Sequence, residues 1–137
     1  MFCLSRKSGY GLELLAVLAG FGQDKVVPLN QLTKAARLPY RFASQLAVSL
    51  KEAGILGSKE GTGGGYYLKR DPQQVTVAEV TGILEGGKGI VACMVDGSCH
   101  RECFCQSKPI WQQIQADIFR IMEEYTLADL VRENKDA

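Results

Sequence analysis

The chain has 137 residues, of which 46% are apolar and 23% are charged. This length suits one compact domain, or one small domain with a dimerisation arm, and the composition excludes a disordered chain. The apolar run in "YGLELLAVLAGF" is too short to span a bilayer and is interrupted by Glu13, and the start of the chain lacks a secretory pattern. We therefore expect a soluble, cytoplasmic protein in a reducing compartment.

Charge is divided unevenly along the chain, although the net charge is only +1. Residues 1–70 carry ten Lys/Arg against four Asp/Glu, a net +6, whereas residues 71–137 carry six against eleven, a net −5. A solvated surface produces such a pattern, but so does a surface that meets a polyanion. The basic front half indicates a partner such as DNA.

Three helices are predicted in the first third of the chain. Apolar residues at helical spacing predict a first helix in "SGYGLELLAVLAGFG", with Ser8 as its N-cap and an end near Gly22. A short second helix is predicted over Leu29–Ala36, and a third from Pro39 to a C′ glycine at Gly54. The third helix is amphipathic and basic, so the pair fits a helix-turn-helix. Its predicted apolar stripe is Phe42, Ala43, Leu46, Ala47, Leu50 and Ala53.

A glycine-tipped hairpin is predicted next. Two strand-like pieces, Ile55–Glu60 and Tyr66–Lys69, flank "GTGGG" at 61–65. Glycine at this density allows positive φ and a close approach of the backbone to a ligand. A flexible surface hairpin is the alternative, but after a helix-turn-helix the pattern favours a wing. The predicted fold is mainly α with a small β wing, a winged helix-turn-helix with a long C-terminal dimerisation helix.

The second half of the chain contains three more predicted helices. Thr76 and Glu79 form a capping box for a fourth helix that ends near Glu85. A long helix is predicted from Pro109 at its N1 position to about Tyr125, followed by a short terminal helix capped by Thr126 with Asp129 at N3. The long helix has an apolar stripe of Ile110, Trp111, Ile114, Ile118, Ile121, Met122 and Tyr125, which packs either against a second copy or back onto its own chain.

The predicted organisation has three parts. Residues 1–85 form the winged helix-turn-helix DNA-binding domain, 86–108 form a cysteine-rich loop, and 109–137 form the dimerisation helix and the terminal helix. The loop has neither helical nor strand periodicity. A loop of this length in a compact domain is usually functional.

The loop carries four of the five cysteines and the single histidine within "CMVDGSCHRECFC". A disulfide knot, a structural zinc site and an iron–sulfur cluster are the candidates. A reducing compartment disfavours disulfides, and only Cys99 and Cys103 have the spacing of a zinc knuckle. Cys93, Cys99 and Cys105 are each separated by five residues, and thiolates spread in this way can reach different corners of a cluster.

Five segments in succession resemble one family, the winged-helix iron–sulfur regulators that include the iron–sulfur assembly regulator IscR and the nitric-oxide-sensing repressor NsrR. They are "LSRKSGYGLELL", "LPYRFASQLAVSLKEAGIL", "GTGGGYYL", "TVAEVTGILEGGKGIVAC" and the cysteine loop before a Trp-bearing helix. The resemblance implies a homodimeric transcription regulator that binds double-stranded DNA at a pseudo-palindromic operator. It also implies a [2Fe–2S] or [4Fe–4S] cluster held by Cys93, Cys99 and Cys105.

The fourth cluster ligand departs from the family pattern. IscR-like members have a histidine three residues after the third cysteine, where this chain has Lys108. NsrR-like members take a carboxylate from the first helix of the partner subunit; the matching position here is close to Gly9, with no carboxylate nearby. Cys103 or His100 is therefore the candidate fourth ligand, beside a group from the partner chain, an exogenous thiol or water. Cys3 is a further candidate from the partner subunit, or an idle thiol.

Two groups of residues are predicted to contact DNA. Those predicted to face the major groove are Pro39, Tyr40, Arg41, Ser44 and Gln45. Arg41 can pair with guanine and Gln45 with adenine. Those predicted to meet phosphates are Lys34, Arg37, Lys51 and Lys59, with Gly63, Gly64 and Gly65 at the wing. Family wings often carry an arginine before the glycines, whereas this chain has Glu60, which weakens the grip of the wing.

Two hypotheses about function remain, and neither is an enzyme. No acid–base or nucleophile constellation accompanies the loop, and a lone histidine beside cysteines is not a catalytic dyad. The first hypothesis is a DNA-binding regulator that senses redox state, iron–sulfur status or nitric oxide through its cluster. The alternative is a metal-free regulator that senses oxidants by thiol–disulfide chemistry, with Cys99/Cys103 and Cys103/Cys105 as candidate pairs.

Overall fold

The computed structural model describes residues 5–86 and 106–136. Its elements in chain order are α1 (Arg6–Phe21), α2 (Leu29–Ala36), α3 (Tyr40–Glu52), β1 (Leu56–Lys59), β2 (Gly65–Leu68), α4 (Val77–Glu85), α5 (Lys108–Glu123) and α6 (Leu127–Asp136). This is the predicted mainly helical architecture with a two-stranded antiparallel sheet. Among the described residues, no helix is long and apolar enough to cross a membrane.

α1 is the central helix of the fold. It packs against α2, α3, α4, β2 and α6, so most of the described elements share one core. The fully buried large side chains come from every part of the fold except α5: Leu14, Leu15, Leu18, Val27, Leu32, Leu50, Ile55, Leu56, Leu68, Val75, Val80 and Leu127. Burial of each such side chain contributes about 1.5–3 kcal/mol, so this core holds α3 and the β1–β2 hairpin in place.

The start of α1 differs from the sequence prediction. Ser5, not Ser8, is the N-cap, and its hydroxyl accepts a hydrogen bond from the Lys7 amide at 3.3 Å. Ser8 lies one turn inside the helix and is buried at 1% exposure. Both serines suit a cap by residue type, and both hydroxyls donate to the Glu85 carboxylate, but it is the Ser5 hydroxyl that also accepts an amide of the first turn. The predicted end at Gly22 is confirmed, since Gly22 is the C-cap.

The helix-turn-helix follows the prediction closely. α2 has the predicted bounds, and α3 begins directly after Pro39, which is its N-cap rather than its first residue. Gly54 has φ +84°, the left-handed conformation that favours glycine after a helix end. The apolar stripe of α3 is buried except at its two ends, where Phe42 is half-buried and Ala53 is exposed. The prediction that Ala53 belongs to the core is therefore wrong.

The wing is a β-hairpin in which Leu56 pairs with Leu68 and Lys59 with Gly65. A second contact attaches it to the body, because Val27 and Tyr66 exchange backbone hydrogen bonds of 2.8 and 2.9 Å. Gly65 makes this contact possible. A Cβ on Gly65 would lie 2.3 Å from the Val27 carbonyl oxygen and 2.6 Å from the Pro28 nitrogen, and Gly65 has φ +153°.

The predicted cap of α4 is present, with a modification. The Thr76 hydroxyl accepts a hydrogen bond from the Glu79 amide at 3.1 Å, but the Glu79 carboxylate pairs with Arg70 at the base of the wing. The pair is partly exposed, so its contribution to stability is below about 1 kcal/mol.

The last helix belongs to the same core as the first. The Asp129 carboxylate accepts the Thr126 amide at 3.0 Å, which confirms the predicted cap of α6. The Leu127 amide donates to the Val75 carbonyl at 3.0 Å, and the Leu127 side chain is fully buried. α5, which precedes it, begins at Lys108 with Pro109 at its second position.

Candidate nucleic-acid interface

The solvent-facing side of α3 carries the residues predicted to read bases. Tyr40 is 55% exposed, Arg41 and Gln45 are exposed, and Ser44 is half-buried. Because these residues are one or four positions apart, they lie on one face over the first two turns of the helix. The first turns of a recognition helix are the part that reaches base edges in the major groove.

The sequence prediction missed Val48 on the same helix. Val48 follows Ser44 by one turn and is 47% exposed, although it is aliphatic. Its position at i+4 from Ser44 was a usable signal. An exposed aliphatic side chain on this face can contact the methyl group of thymine.

The turn between α2 and α3 is held in a strained conformation at Arg37. Arg37 has φ 56° and ψ 47°, and it is the sole residue other than glycine with positive φ among those described. The Arg37 amide donates to the Lys34 carbonyl and the Leu38 amide to the Thr33 carbonyl, which closes the end of α2. A left-handed arginine costs about 1–2 kcal/mol relative to glycine. The side chain is exposed, so its charge faces solvent.

A cleft separates α3 from the wing. It has a volume of about 640 Å³. Its lining brings together Pro28, Leu29, Asn30, Tyr40, Ser44, Lys51, Ser58, Lys59, Glu60, Gly64, Gly65 and Tyr66. Six of these residues are predicted from sequence to contact DNA, so the fold joins the reading helix and the wing into one surface. Asn30 at the start of α2 also lines the cleft, although the sequence prediction did not place it there.

The charged side chains around this surface are predominantly basic. Lys34, Arg37, Lys51 and Lys59 are all exposed. Within residues 5–86 and 106–136, none of the four forms an ion pair. Exposed lysines and an arginine without a carboxylate partner suit the phosphates of a duplex.

A hydrogen-bonded clamp ties the start of α1 to the end of α4. One carboxylate oxygen of Glu85 accepts from the Ser5 amide at 3.0 Å, the Ser5 hydroxyl at 2.6 Å and the Ser8 hydroxyl at 2.7 Å. Burial raises the pKa of Glu85, but the hydrogen bonds from Ser5 and Ser8 and the charge of Lys7 outweigh it, so the net pKa lies below its usual value. Glu85 is followed by one described residue, Gly86, and then by the cysteine segment.

Most of the cysteine-rich loop, residues 87–105, lies outside the described residues. These undescribed residues include Cys93, Cys99, Cys103, Cys105 and His100. Cys3, near the start of the chain, is also outside the described part. Within the described part of the chain, no three His, Cys, Asp or Glu side chains are grouped to hold a metal ion. The cluster ligands therefore remain a prediction from the sequence.

α5 presents an uncovered apolar face. None of its residues is buried in the single chain. Ile110 is 62% exposed, Ile121 is 55% exposed, and Trp111 and Ile114 are also exposed. α5 contacts α4 on its other side, where Phe119 and Glu123 line a groove with Glu79.

A helix-turn-helix with an exposed basic reading helix, followed by a glycine-tipped hairpin on the same surface, defines a winged-helix DNA-binding protein. The family follows from comparison with known proteins. The profile of the Rrf2 family, described as iron-dependent transcriptional regulators, matches residues 4–133. The chain belongs to this family.

Two curated relatives match almost the whole chain. The chain is 28% identical over 131 residues to "Protein rrf2" of Nitratidesulfovibrio vulgaris, covering 95% of this chain and 87% of that one. It is 24% identical over 132 residues to the HTH-type transcriptional regulator IscR of Vibrio campbellii, covering 96% and 79%.

Solved structures give the same result for the fold. The IscR structure from T. potens matches with a TM-score of 0.77 at 26% identity, over 96% of this chain and 88% of that one. CymR, the global cysteine regulator of B. subtilis, matches with a TM-score of 0.77 at 26% identity, over 97% and 98%. The protein is thus a DNA-binding transcriptional regulator and not an enzyme.

Proposed function

We propose that the protein is a homodimeric transcription regulator that senses redox state, iron–sulfur status or nitric oxide through an iron–sulfur cluster held by its cysteine segment. The observation that supports it most is the exposed face of α3 beside a cleft lined by Lys51 and Lys59, in a chain of an iron-dependent family. Because its target is chromosomal DNA, it acts in the cytoplasm. Residues 86–108 are the sensing part.

The reading of DNA is assigned to α3. Arg41 and Gln45 lie one helical turn apart, so they meet bases on the same side of the major groove. Arg41 forks onto the two acceptors of guanine, and Gln45 pairs with adenine. Lys34, Arg37, Lys51 and Lys59 bind phosphates and set affinity without reading sequence.

Dimerisation is assigned to the apolar face of α5. Ile110, Ile114 and Ile121 fall on helical spacing and are exposed in the single chain. Isolated apolar residues on a surface are ordinary, but a continuous stripe on one helix marks an interaction site. A second copy of the same helix covers it symmetrically, and two reading heads then meet the two halves of a pseudo-palindromic operator.

The donor set of the cysteine segment fits an iron–sulfur cluster of either the [2Fe–2S] or the [4Fe–4S] type. Cys93, Cys99 and Cys105 supply thiolates, the preferred ligands of such clusters, and Cys103 or His100 supplies the fourth ligand. A bound cluster provides a centre whose charge and integrity respond to oxidants, nitric oxide and iron supply. The Ser5–Ser8–Glu85 clamp joins the entry of this segment to α1, which packs on α3.

A second function is favoured by the likeness to CymR. The chain matches that cysteine regulator and IscR with the same TM-score, so the fold alone accommodates either kind of sensing. In this version no metal is present. Cys103 pairs with Cys99 or Cys105 in a disulfide when an oxidant accepts the two electrons of the thiols.

Purification without oxygen separates the two functions. We expect a brown protein with equal iron and sulfide, and loss of both in Cys93→Ser. Cys3→Ser should keep both if Cys3 is an idle thiol and lose them if Cys3 is a ligand from the partner subunit. Cys103→Ser and His100→Ala, compared by visible spectrum, identify the fourth ligand. A colourless protein whose free thiols fall on peroxide treatment indicates the second function, and one zinc per chain contradicts both.

DNA binding is measured by fluorescence anisotropy on a fragment of the protein's own promoter. Arg41→Ala should weaken specific binding by roughly tenfold or more, because a bidentate contact to guanine is lost. Lys59→Ala should lower the slope of log K against log salt by about one, whereas Lys69→Ala, at the far end of the same hairpin, should leave it unchanged. Equal salt slopes for the two lysine variants would show that Lys59 of the wing does not contact a phosphate.

A further inference from the structure

Glu60 is an uncompensated negative charge on the DNA-facing surface. It follows the last residue of β1, is exposed, and lines the cleft with Lys51 and Lys59. Within the described part of the chain, its carboxylate has no hydrogen bond or ion pair. A carboxylate accepts hydrogen bonds and donates none. Water supplies these donors while Glu60 is exposed, so a surface that displaces this water must supply a donor in its place.

The tip that carries Glu60 is thin. The four residues after Glu60 are Gly61, Thr62, Gly63 and Gly64, so Thr62 supplies the single side chain of the turn. The turn is closed by a hydrogen bond of 3.0 Å from the Gly64 amide to the Gly61 carbonyl. A nearly bare backbone turn suits the minor groove of B-DNA, which is only about 6 Å wide.

The minor groove offers one kind of donor to a carboxylate. An A·T pair presents only the acceptors adenine N3 and thymine O2, whereas a G·C pair adds the N2 amino group of guanine. Phosphates on both sides also repel a negative charge. A carboxylate in this groove is consequently unfavourable at A·T and acceptable at G·C.

We propose that Glu60 makes the wing select a G·C pair, by accepting a hydrogen bond from the guanine N2 amino group in the minor groove. The inference rests on the proposed DNA-binding function and adds a sequence preference outside the reach of α3. Lys59 and Lys51, which line the same cleft as Glu60, hold the neighbouring phosphates and keep the wing in place despite its charge.

The test begins with selection of binding sites from duplex DNA with a randomised centre. The selected operator is then prepared with G·C, A·T or inosine·C at the pair on each arm that the wing protects. Inosine pairs with cytosine but lacks the N2 amino group, and it leaves the major groove unchanged. The proteins are the wild type, Glu60→Gln and the control Glu52→Gln, which removes an exposed carboxylate at the end of α3 away from the cleft.

The wild type and Glu52→Gln should prefer G·C over both A·T and inosine·C by about tenfold, the value of one hydrogen bond to a charged group. Glu60→Gln, whose amide both donates and accepts, should bind all three operators within about twofold. The inference is overturned if Glu60→Gln keeps the preference, or if inosine·C binds the wild type as well as G·C. Failure to select any sequence would instead refute the proposed DNA-binding function.

Discussion

Replacement of Gly65 by alanine tests how the wing is fastened to the body. Gly65 has φ +153°, and a Cβ there would approach the backbone of Val27 to 2.3 Å and Pro28 to 2.6 Å. These neighbours are backbone atoms and cannot rotate away as a side chain would. The contact therefore either opens or strains the start of α2.

The cost of Gly65→Ala can be estimated in two parts. Alanine in a conformation that glycine alone adopts readily costs about 1–3 kcal/mol. Separating the wing from the body breaks the two hydrogen bonds between Val27 and Tyr66, each of about 1 kcal/mol. The free energy of unfolding should thus fall by about 3–5 kcal/mol, a large part of the usual stability of a small domain.

Urea denaturation followed by circular dichroism measures this loss, and Gly63→Ala is the matched control. Gly63 lies in the same hairpin with φ +78°, but a Cβ added there would meet nothing within 4 Å. Its replacement should cost only about 1 kcal/mol, from the backbone conformation alone. If the two variants lose equal stability, the close contact with Val27 does not fasten the wing.

Three further changes have expected outcomes. Arg37→Gly should raise the free energy of unfolding by about 1 kcal/mol, because it relieves a left-handed arginine, and should weaken DNA binding because a cation is lost. A urea melt measures the stability and an anisotropy titration measures the affinity for DNA. If stability and affinity both rose or both fell, the reasoning would be wrong. Glu85→Gln should destabilise the fold by about 1–2 kcal/mol at neutral pH. Because the fold lowers the pKa of Glu85, the ionised carboxylate stabilises the fold at pH values above the usual pKa of a glutamate. This advantage is lost as the pH falls through the lowered pKa, so the free energies of unfolding of the two proteins should converge in acid; a constant gap would contradict the clamp. Gly9 is an exposed helical residue, and a Cβ added there would meet nothing within 4 Å, so Gly9→Ala should raise the free energy of unfolding by about 0.5–1 kcal/mol in thermal melts. A loss of stability would show that another group, such as a second copy of the chain, packs against α1 at this position.

Local signals were sufficient to predict most of the fold. Proline and glycine positions predicted the ends of α2 and α3 to within a residue or two, because each of these residues acts on the backbone of its own turn. Thr76 and Asp129 revealed two helix starts for the same reason, since a cap bonds to an amide three residues away.

Long-range contacts account for what the sequence did not reveal. Ser8 has the residue type of a cap, but its hydroxyl bonds to Glu85, 77 residues away, and no local pattern announces that partner. Val48 was overlooked because an aliphatic residue on an amphipathic helix is usually buried, whereas Val48 lies on the exposed face of α3. The candidate cluster ligands rest on the cysteine spacing and on the family resemblance, and they stay a prediction.

The burial of Leu127 has a consequence for how the protein is made. Its side chain completes the core around α1, yet it is synthesised after the cysteine segment. On the ribosome the DNA-binding body therefore lacks a buried leucine until residues 86–108 have already emerged. A nascent chain therefore completes the core of its DNA-binding body only after the cysteine-rich loop has been translated.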